Sequence, residues 1–404
     1  MKINIGLFFG GMSVEHEVSI ISGIQAYHAF DKEKYQVIPI YITKDNEMYT
    51  GEGISEIREY RDIPKLLSKS TRIILVSEKG RCKIMQYPAK RFGNSCLGEI
   101  DVAFPVVHGT NVEDGTLQGM LSMLKVPFAG PDLTSSALCM DKYAMKVVLA
   151  AKGIPVLDGS SIDLSRFRTE PESVMEELEQ AYAYPMIIKP INLGSSIGIR
   201  IARDREGLAE ALDHAFGFAM QVVVERAIVH LREINCSVLG DHQQAEASEC
   251  EEPINSSEIL SYEDKYMSGG SGAKGQPGSK TGGSRKSGGA GPGRIIPADL
   301  PAETRERIRE LAVQTFQVLN CNGVARVDFM IDEDTGQILV NEINTIPGSL
   351  SFYLWEPVGV PYPQLVDRMV ELALKREREL SQLSFSFQTN LLQHAELSGT
   401  KGAK

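Results

Sequence analysis

Long apolar runs are missing from this sequence. None approaches the ~20 residues that a membrane-spanning helix needs, so no helical span is expected. The opening MKINIGLFFGGMSVEHEVS has only the short run IGLFF before the acidic Glu15 and Glu17. It therefore does not read as a secretory signal, and a cytoplasmic location is expected. Cysteine is sparse. Its six positions, 82, 96, 139, 236, 250 and 321, form no CxxC and no Cys/His cluster. That argues against a structural zinc or a disulfide framework and for reduced thiols. Basic residues are outnumbered, 42 against 53 acids, for a net charge of −11. Non-specific nucleic-acid binding needs a basic face, so no nucleic-acid partner is expected. A local cationic cluster can still bind an anionic ligand.

What is present is ordinary for a globular protein, with 42% apolar and 24% charged residues. A chain of 404 residues exceeds what one core usually serves, so two or three lobes are expected. Strands KINIGLFF, YQVIPIYI, RIILV and DVAFPVV alternate with the helices SVEHEVSIISGIQAYHAF and EDGTLQGMLSMLK. This predicts a mostly parallel α/β lobe over 1–130, with Ser13 capping its first helix. SSALCMDKYAMKVVLAAKG predicts one amphipathic helix. With the strands PMIIKP and QVVVER it forms a second, α+β lobe over 131–225. A third lobe, 226–380, holds the hairpin VARVDFMID–EDTG–QILVNEIN and the helix PYPQLVDRMVELALKRERE. The tail, 381–404, lacks periodicity and is expected to be partly disordered. Residues 268–293 are different material. Eleven of the 26 are glycine, four are basic and none is acidic, which predicts a mobile loop.

Candidate chemistry concentrates in the hairpin. Arg326 and Asp328 are two apart on one strand, and Glu342 and Asn344 on the other, so each pair shares a face. A turn centred near Asp334 predicts Arg326 opposite Glu342. Two carboxylates and a carboxamide suit Mg²⁺ or a similar oxygen-loving ion such as Mn²⁺, while an exposed Arg–Glu surface hairpin is the plainer alternative. INLGSSIGI follows Lys189, and a lysine beside a Gly-Ser turn can cradle phosphates. Snorkelling lysines at strand ends explain Lys189 equally, and Lys142 in MDKYAMK shares that ambiguity. GLFFGGMSVEHEVS matches neither GxGxxG nor a P-loop, and Glu15 in it suits an ammonium group better than a phosphate. In HGTNVEDGTLQG, Glu113 and Asp114 read as helix-start acids. His108 is open between structural and substrate roles.

Seven segments in order carry a resemblance: GGMSVEHEVS, HGTNVEDGTLQG, MDKYAMK, IIKPINLGSSIGI, YEDKYMSGG, ARVDFMID and NEINTIPGSL. Over about 1 to 378 the chain resembles the D-alanine–D-alanine ligases of the ATP-grasp superfamily. The resemblance implies a three-lobe α/β fold with ATP sandwiched between the second and third lobes. It implies that ATP phosphorylates one D-alanine carboxylate and that a second D-alanine's amine attacks the acyl phosphate. It would give Glu15 the first ammonium, with Ser195 and Tyr266 hydrogen-bonded to it. Lys142, Lys189 and Lys265 would meet phosphates. Glu225 and the backbone near Arg226 and Ile228 would take adenine, and Glu233 the ribose. Asp328, Glu342 and Asn344 would bind Mg²⁺ or Mn²⁺, and Arg326 with the Gly348 N–H would hold the oxyanion. A homodimer is also implied.

Two features depart from that pattern. The loop 268–293, where a lid is expected, is unusually rich in Gly, Ser and Lys. The segment after NTIPG reads SLSFYLWEP, so Ser349, Ser351, Tyr353 and Leu354 are all candidates for the second substrate's carboxylate. D-serine or D-lactate as second substrate is the alternative, disfavoured by the tyrosine of DKY. A non-catalytic nucleotide-binding protein gripping a partner through its basic loop is the remoter one.

Overall fold

A computed structural model describes residues 2–194, 196–254 and 293–385. Three sheets organise it. The first has seven strands: β1 Ile3–Gly10, β2 Tyr35–Ile42, β3 Met48–Thr50, β4 Thr71–Glu78, β5 Arg81–Gln86, β6 Cys96–Ile100 and β7 Val102–Pro105, in the order β6-β5-β4-β3-β2-β1-β7. Only β1, β2 and β7 pair in parallel. Strands β3 to β6 join antiparallel, which corrects the mostly parallel sheet expected from the alternating pattern. Short connections make hairpins of β2–β3, β4–β5 and β5–β6, whereas β3 and β4 are joined antiparallel through a longer segment that holds the helix Ile63–Lys69.

β1 is buried on both faces, with Ile5, Leu7, Phe8 and Phe9 all at 0% exposure. Helix α1, His16–Ala29, lies against it. The approach is close because residue 23 is glycine; a Cβ there would sit 2.5 Å from the Phe9 side chain. Ser13 does not cap this helix. Its hydroxyl accepts from the Glu15 N–H at 3.1 Å and donates to the His108 carbonyl at 2.6 Å, and Glu15 stands at the helix start.

The second sheet has four antiparallel strands: β8 Gly159–Asp163, β9 Met186–Pro190, β10 Arg200–Ala202 and β11 Gln221–Arg226, in the order β10-β9-β11-β8. Its core includes Val174, Leu178, Leu208 and Leu212 from two covering helices. The single helix expected before it is two. Leu133–Met140 and Lys142–Ala151 are separated at Asp141, whose extended backbone (φ −84°, ψ 102°) breaks the helix. Its carboxylate then caps the second helix through the N–H groups of Tyr143 and Ala144.

The third sheet contains β12 Leu231–Gly240, β13 Ala245–Pro253, β14 Arg294–Ile295, β15 Gly323–Asp332 and β16 Gln337–Asn344, in the order β14-β13-β12-β15-β16. One face is covered by the helix Ala302–Val318, which buries Ile308, Leu311 and Phe316 with Val327, Phe329 and Ile343. The other face grades from the charged Asp328 and Glu342 to the apolar Met330 and Leu339. The last helix, Tyr362–Leu380, buries Leu365, Val366 and Met369 in the same core as β1. Among the described residues no helix is long and apolar enough to cross a membrane.

Candidate active site

The β15–β16 hairpin sets the first cluster. Arg326 pairs with Asn344, and Asp328 with Glu342. The expected pairing of Arg326 with Glu342 is therefore off by two residues. Asp332 pairs with Gln337, one step off the expected turn, and a bulge at Asp328–Phe329 adds a second step; the even total leaves all four side chains on one face. Arg326 grips Asp328 with both arms, Nε to Oδ1 at 2.6 Å and Nη2 to Oδ2 at 2.7 Å. Asn344 Nδ2 donates to Asp328 Oδ2 at 3.0 Å. Lys142 Nζ lies 3.1 Å from Glu342 Oε2 and donates to the Leu193 carbonyl at 2.7 Å. Among the described residues no three His, Cys, Asp or Glu side chains gather as a metal nest. Two carboxylates facing each other with an amide oxygen nearby fit a hard divalent ion that takes its remaining ligands from phosphates and water.

A second cluster is deeper. Glu225 is fully buried on β11, and Lys146 and Lys189 both donate to it, Lys189 at 2.9 Å. Lys189 also reaches Asn341 Oδ1 at 3.2 Å. It lies inside the sheet and does not emerge at an edge, contrary to the strand-end expectation. Burial pushes the Glu225 carboxyl up, but the two ammonium groups outweigh it and hold it down at about 2. Burial lowers Lys146 to about 8 despite Glu225 beside it. The sequence reading had given Lys146 no role.

Between the clusters runs a graded surface. Glu233 pairs across strands with Met330, and Met330 with Leu339, on the face that carries Asp328. Leu157, Met330 and Leu339 form a small apolar patch against which Ile228 packs. Arg226 is held by Asp332 at 2.8 Å.

The first sheet contributes the opposite wall. Glu15, Glu113, Lys142, Gly194, Glu342 and Asn344 line one small cavity. Glu113 is no helix cap, contrary to expectation. It accepts from the N–H groups of Gly109 and Ile346, each at 2.9 Å, and so ties the first lobe to the third. Burial, reinforced by Glu15, pushes its carboxyl up to about 7. His108 is a structural brace. Its Nδ1 is 2.8 Å from the Ile346 carbonyl and its Nε2 2.9 Å from Ser22 Oγ, which accepts from the Ser349 N–H at 2.9 Å. Burial pushes His108 down to about 4, so the ring is neutral and Nδ1–H is the donor.

That brace holds a strained turn. Ser349, Leu350 and Ser351 are consecutive residues at φ +52°, +52° and +49°. Left-handed backbone costs a non-glycine residue roughly 1–2 kcal/mol, so three in a row mark an imposed geometry. At the head of the turn, a Cβ on Gly348 would meet nothing within 4 Å, so its backbone borders open space. Of the candidate acceptor residues, Ser351 and Leu354 are wholly buried and the Ser349 N–H is committed to Ser22. Tyr353 is part exposed and donates to Glu251 Oε1 at 3.2 Å. Ser195, Lys265 and Tyr266 lie outside the described residues, as does the loop 268–293 except Gly293.

The sequence matches the family description "D-ala D-ala ligase N-terminus" over residues 4–131. It matches "D-ala D-ala ligase C-terminus" over 148–279 and 289–371. The chain belongs to the D-alanine–D-alanine ligase family. A relative from Thermosipho melanesiensis, named D-alanine–D-alanine ligase, is 38% identical, covering 96% of this chain and 98% of its own. Among solved structures, the D-alanine–D-alanine ligase from Coxiella burnetii superposes with a TM-score of 0.77 at 29% identity, covering 94% of this chain and 96% of that one. The VanG D-Ala:D-Ser ligase from Enterococcus faecalis gives 0.75 at 29% identity, covering 92% and 100%. These neighbours share the ATP-grasp fold expected from the sequence. Two charged residues inside its motifs have surroundings the sequence did not disclose: Glu113, read there as a helix-start acid, and Lys146. Only their partners distant in sequence reveal them.

Proposed function

We propose that this chain joins two D-alanines into D-alanyl-D-alanine, using ATP through an acyl phosphate, to supply a peptidoglycan precursor in the cytoplasm. The supporting observation is the graded face of the third sheet. It runs from Arg326 and Asn344 to the carboxylates Asp328 and Glu342, then to Glu233 beside Met330 and Leu339. Charge gives way to hydroxyl-binding and then apolar character over about 3.4 Å per residue. A nucleotide has the same order of phosphate, ribose and base. Glu225 would accept from the adenine amino group, with Ile228 and the backbone near Arg226 along its edge.

Asp328, Glu342 and Asn344 would hold Mg²⁺ or Mn²⁺, which when bound neutralises phosphate charge and draws the terminal phosphoryl group toward its acceptor. Lys142, Lys189 and Lys265 would share that neutralisation. Phosphoryl transfer is mostly positioning, so no protein nucleophile is required. Glu15 would hold the first D-alanine's ammonium, with Ser195 and Tyr266 closing over it. Arg326 and the Gly348 N–H would then stabilise the tetrahedral oxyanion, each donor worth roughly 3 kcal/mol. The acyl phosphate is water-sensitive, so the reaction needs water kept from it. We also expect a homodimer.

The direct test is ADP release with ATP, Mg²⁺ and D-alanine. D-alanine-dependent release is expected; its absence would leave a nucleotide-binding protein without this turnover. Offering D-serine or D-lactate as second substrate ranks the acceptors, and a preference for either would move the chain to that specificity.

A further inference from the structure

The connection between the second and third sheets is short. β11 ends at Arg226 and β12 begins at Leu231. Only residues 227–230 lie between them, about 14 Å of chain at full extension. Both sides of this link are tied down. The Ala227 N–H donates to the Pro185 carbonyl at 2.8 Å, just before β9 of the second sheet. Toward the third sheet the link meets the β15–β16 turn three times. Arg226 Nη2 donates to Asp332 Oδ2 at 2.8 Å, and the Glu333 N–H to the His230 carbonyl at 3.0 Å. His230 Nδ1 lies 2.7 Å from Asp334 Oδ1. The buried Asp332 is itself fixed, its Oδ1 accepting from the Asp334 N–H at 3.2 Å.

Between these ties stands Ile228, packed against Leu157, Met330 and Leu339. The ties therefore set how the buried Glu225 on one sheet stands to the apolar patch on the other. The two ion pairs differ in kind. Arg226 stays charged at any ordinary pH, whereas a histidine does not. His230 and Asp334 are also largely solvated, with 64% and 58% of their side chains exposed. The hydrogen bond and charge of Asp334, with Glu333 and Asp332 behind it, hold the His230 imidazole above its ordinary value. The neighbouring cations are committed elsewhere, Arg226 to Asp332 and Arg232 to Glu252 at 2.7 Å. His230 thus gives the link a charge that changes near neutral pH.

We propose that the Arg226 and His230 side chains are positioning groups: with Asp332 and Asp334 they latch the link between the two sheets onto the β15–β16 turn, and so hold the nucleobase side of the cleft ready for ATP. With both pairs charged, Ile228 and the strand end carrying Glu225 are set against the Met330–Leu339 patch before a nucleotide arrives, so binding has less left to order. When His230 loses its proton, the ion pair becomes a hydrogen bond from a neutral ring, and Arg226 and the backbone bonds hold the link. The latch therefore makes nucleotide affinity, and not the chemical step, respond to pH. This inference rests on the nucleotide site of the reading above, and adds to it a regulation of that site.

The test is direct binding of MgATP to the full chain, without D-alanine, at about pH 6 and about pH 8.5, on either side of the histidine titration. His230→Gln still donates a hydrogen bond but cannot charge. It is expected to bind about threefold more weakly than wild type at the lower pH and equally at the higher, a size that suits an exposed ion pair. Asp334→Asn is expected to repeat that pattern. Comparing variant with wild type at one pH cancels the titration of the nucleotide's own phosphate and of Lys146. Arg226→Met leaves the buried Asp332 without its cation and is expected to weaken binding about tenfold at both pH values, with Arg226→Lys recovering part. In turnover, His230→Gln is expected to raise the ATP KM at the lower pH while kcat stays within about twofold. Thermal melting checks that each variant keeps the fold. His230→Gln binding as tightly as wild type at the lower pH, or equally more weakly at both, would overturn the latch. A wild type that binds no MgATP would overturn the ligase reading and the latch together. One that binds MgATP with this pH pattern but does not turn over D-alanine would overturn the ligase reading and leave the latch standing.

Discussion

Two charged clusters sit on neighbouring sheets, linked where Lys189 reaches Asn341 Oδ1, and they differ in depth. Glu225 has no exposed side-chain surface, and its partners Lys146 and Lys189 have 6% each. Asp328 and Glu342 keep 15% and 20% of their side chains exposed, and Lys142, the partner of Glu342, lines the small cavity. Depth sets what each can do. A buried charge is costly unless paired, so the Glu225 cluster holds the fold together as well as any base it receives. The shallower cluster can exchange partners at lower cost: Arg326 and Lys142 neutralise its carboxylates, as a metal ion and phosphates would. On the proposed reading, binding and chemistry would fall to regions of different stability cost.

The largest expected effect breaks this contrast at its catalytic side. Asp328→Asn should lower kcat by about a thousandfold, since metal-assisted charge stabilisation is worth several kcal/mol. Its unfolding free energy in urea should fall by about 1 kcal/mol or less, because the site is partly solvated. Glu225→Gln should do the reverse. It leaves two lysines buried without their counter-charge, which costs roughly 3–5 kcal/mol of stability. Urea unfolding reads that loss directly, and the ATP KM should rise with it. Equal stability losses in both variants would erase the distinction drawn from depth.

What the sequence made legible follows the same division. Face and periodicity are local, so Arg326, Asp328, Glu342 and Asn344 could be grouped from alternation alone. Their register was not, because a bulge adds one residue without changing composition. The split at Asp141 was hidden because hydrophobic spacing continues across it; only the extended backbone there separates the helices. Glu113 was misread for a sound reason. An acid before a helix is usually a cap, and nothing local tells that its partner is the Ile346 N–H, 233 residues away. The Glu225–Lys146 pair, 79 residues apart, was invisible in the same way. Ser195, Lys265 and Tyr266 stand on sequence alone.

Glu113 sharpens the contrast as an intermediate case: buried like Glu225, yet held by backbone N–H groups rather than by lysines. Its pKa is raised from 4.5 to about 7, so the folded state binds its proton more tightly than the unfolded chain does. The associated stability is present below pH 4.5 and is lost as pH rises through about 7. That amounts to on the order of 3 kcal/mol across the window. Glu113→Gln should flatten the fall in melting temperature between those limits. An unchanged slope would mean that another group carries it.

The smallest effect tests whether the shallow cluster's wall reaches across lobes. Gly194 comes from the loop after β9, and a Cβ on it would sit 2.7 Å from Glu15 Oε2. The atom it meets is the end of a side chain, which can swing aside, so the fold should tolerate alanine. Glu15 would swing away from the place proposed for the first substrate's ammonium group. Gly194→Ala should therefore raise the first D-alanine KM about fivefold, equivalent to about 1 kcal/mol. The ATP KM and the urea midpoint should stay within error, because the Glu225 cluster is untouched. A rise in the ATP KM instead would mean that this loop serves the nucleotide rather than the amino acid, and that the two clusters are coupled through it.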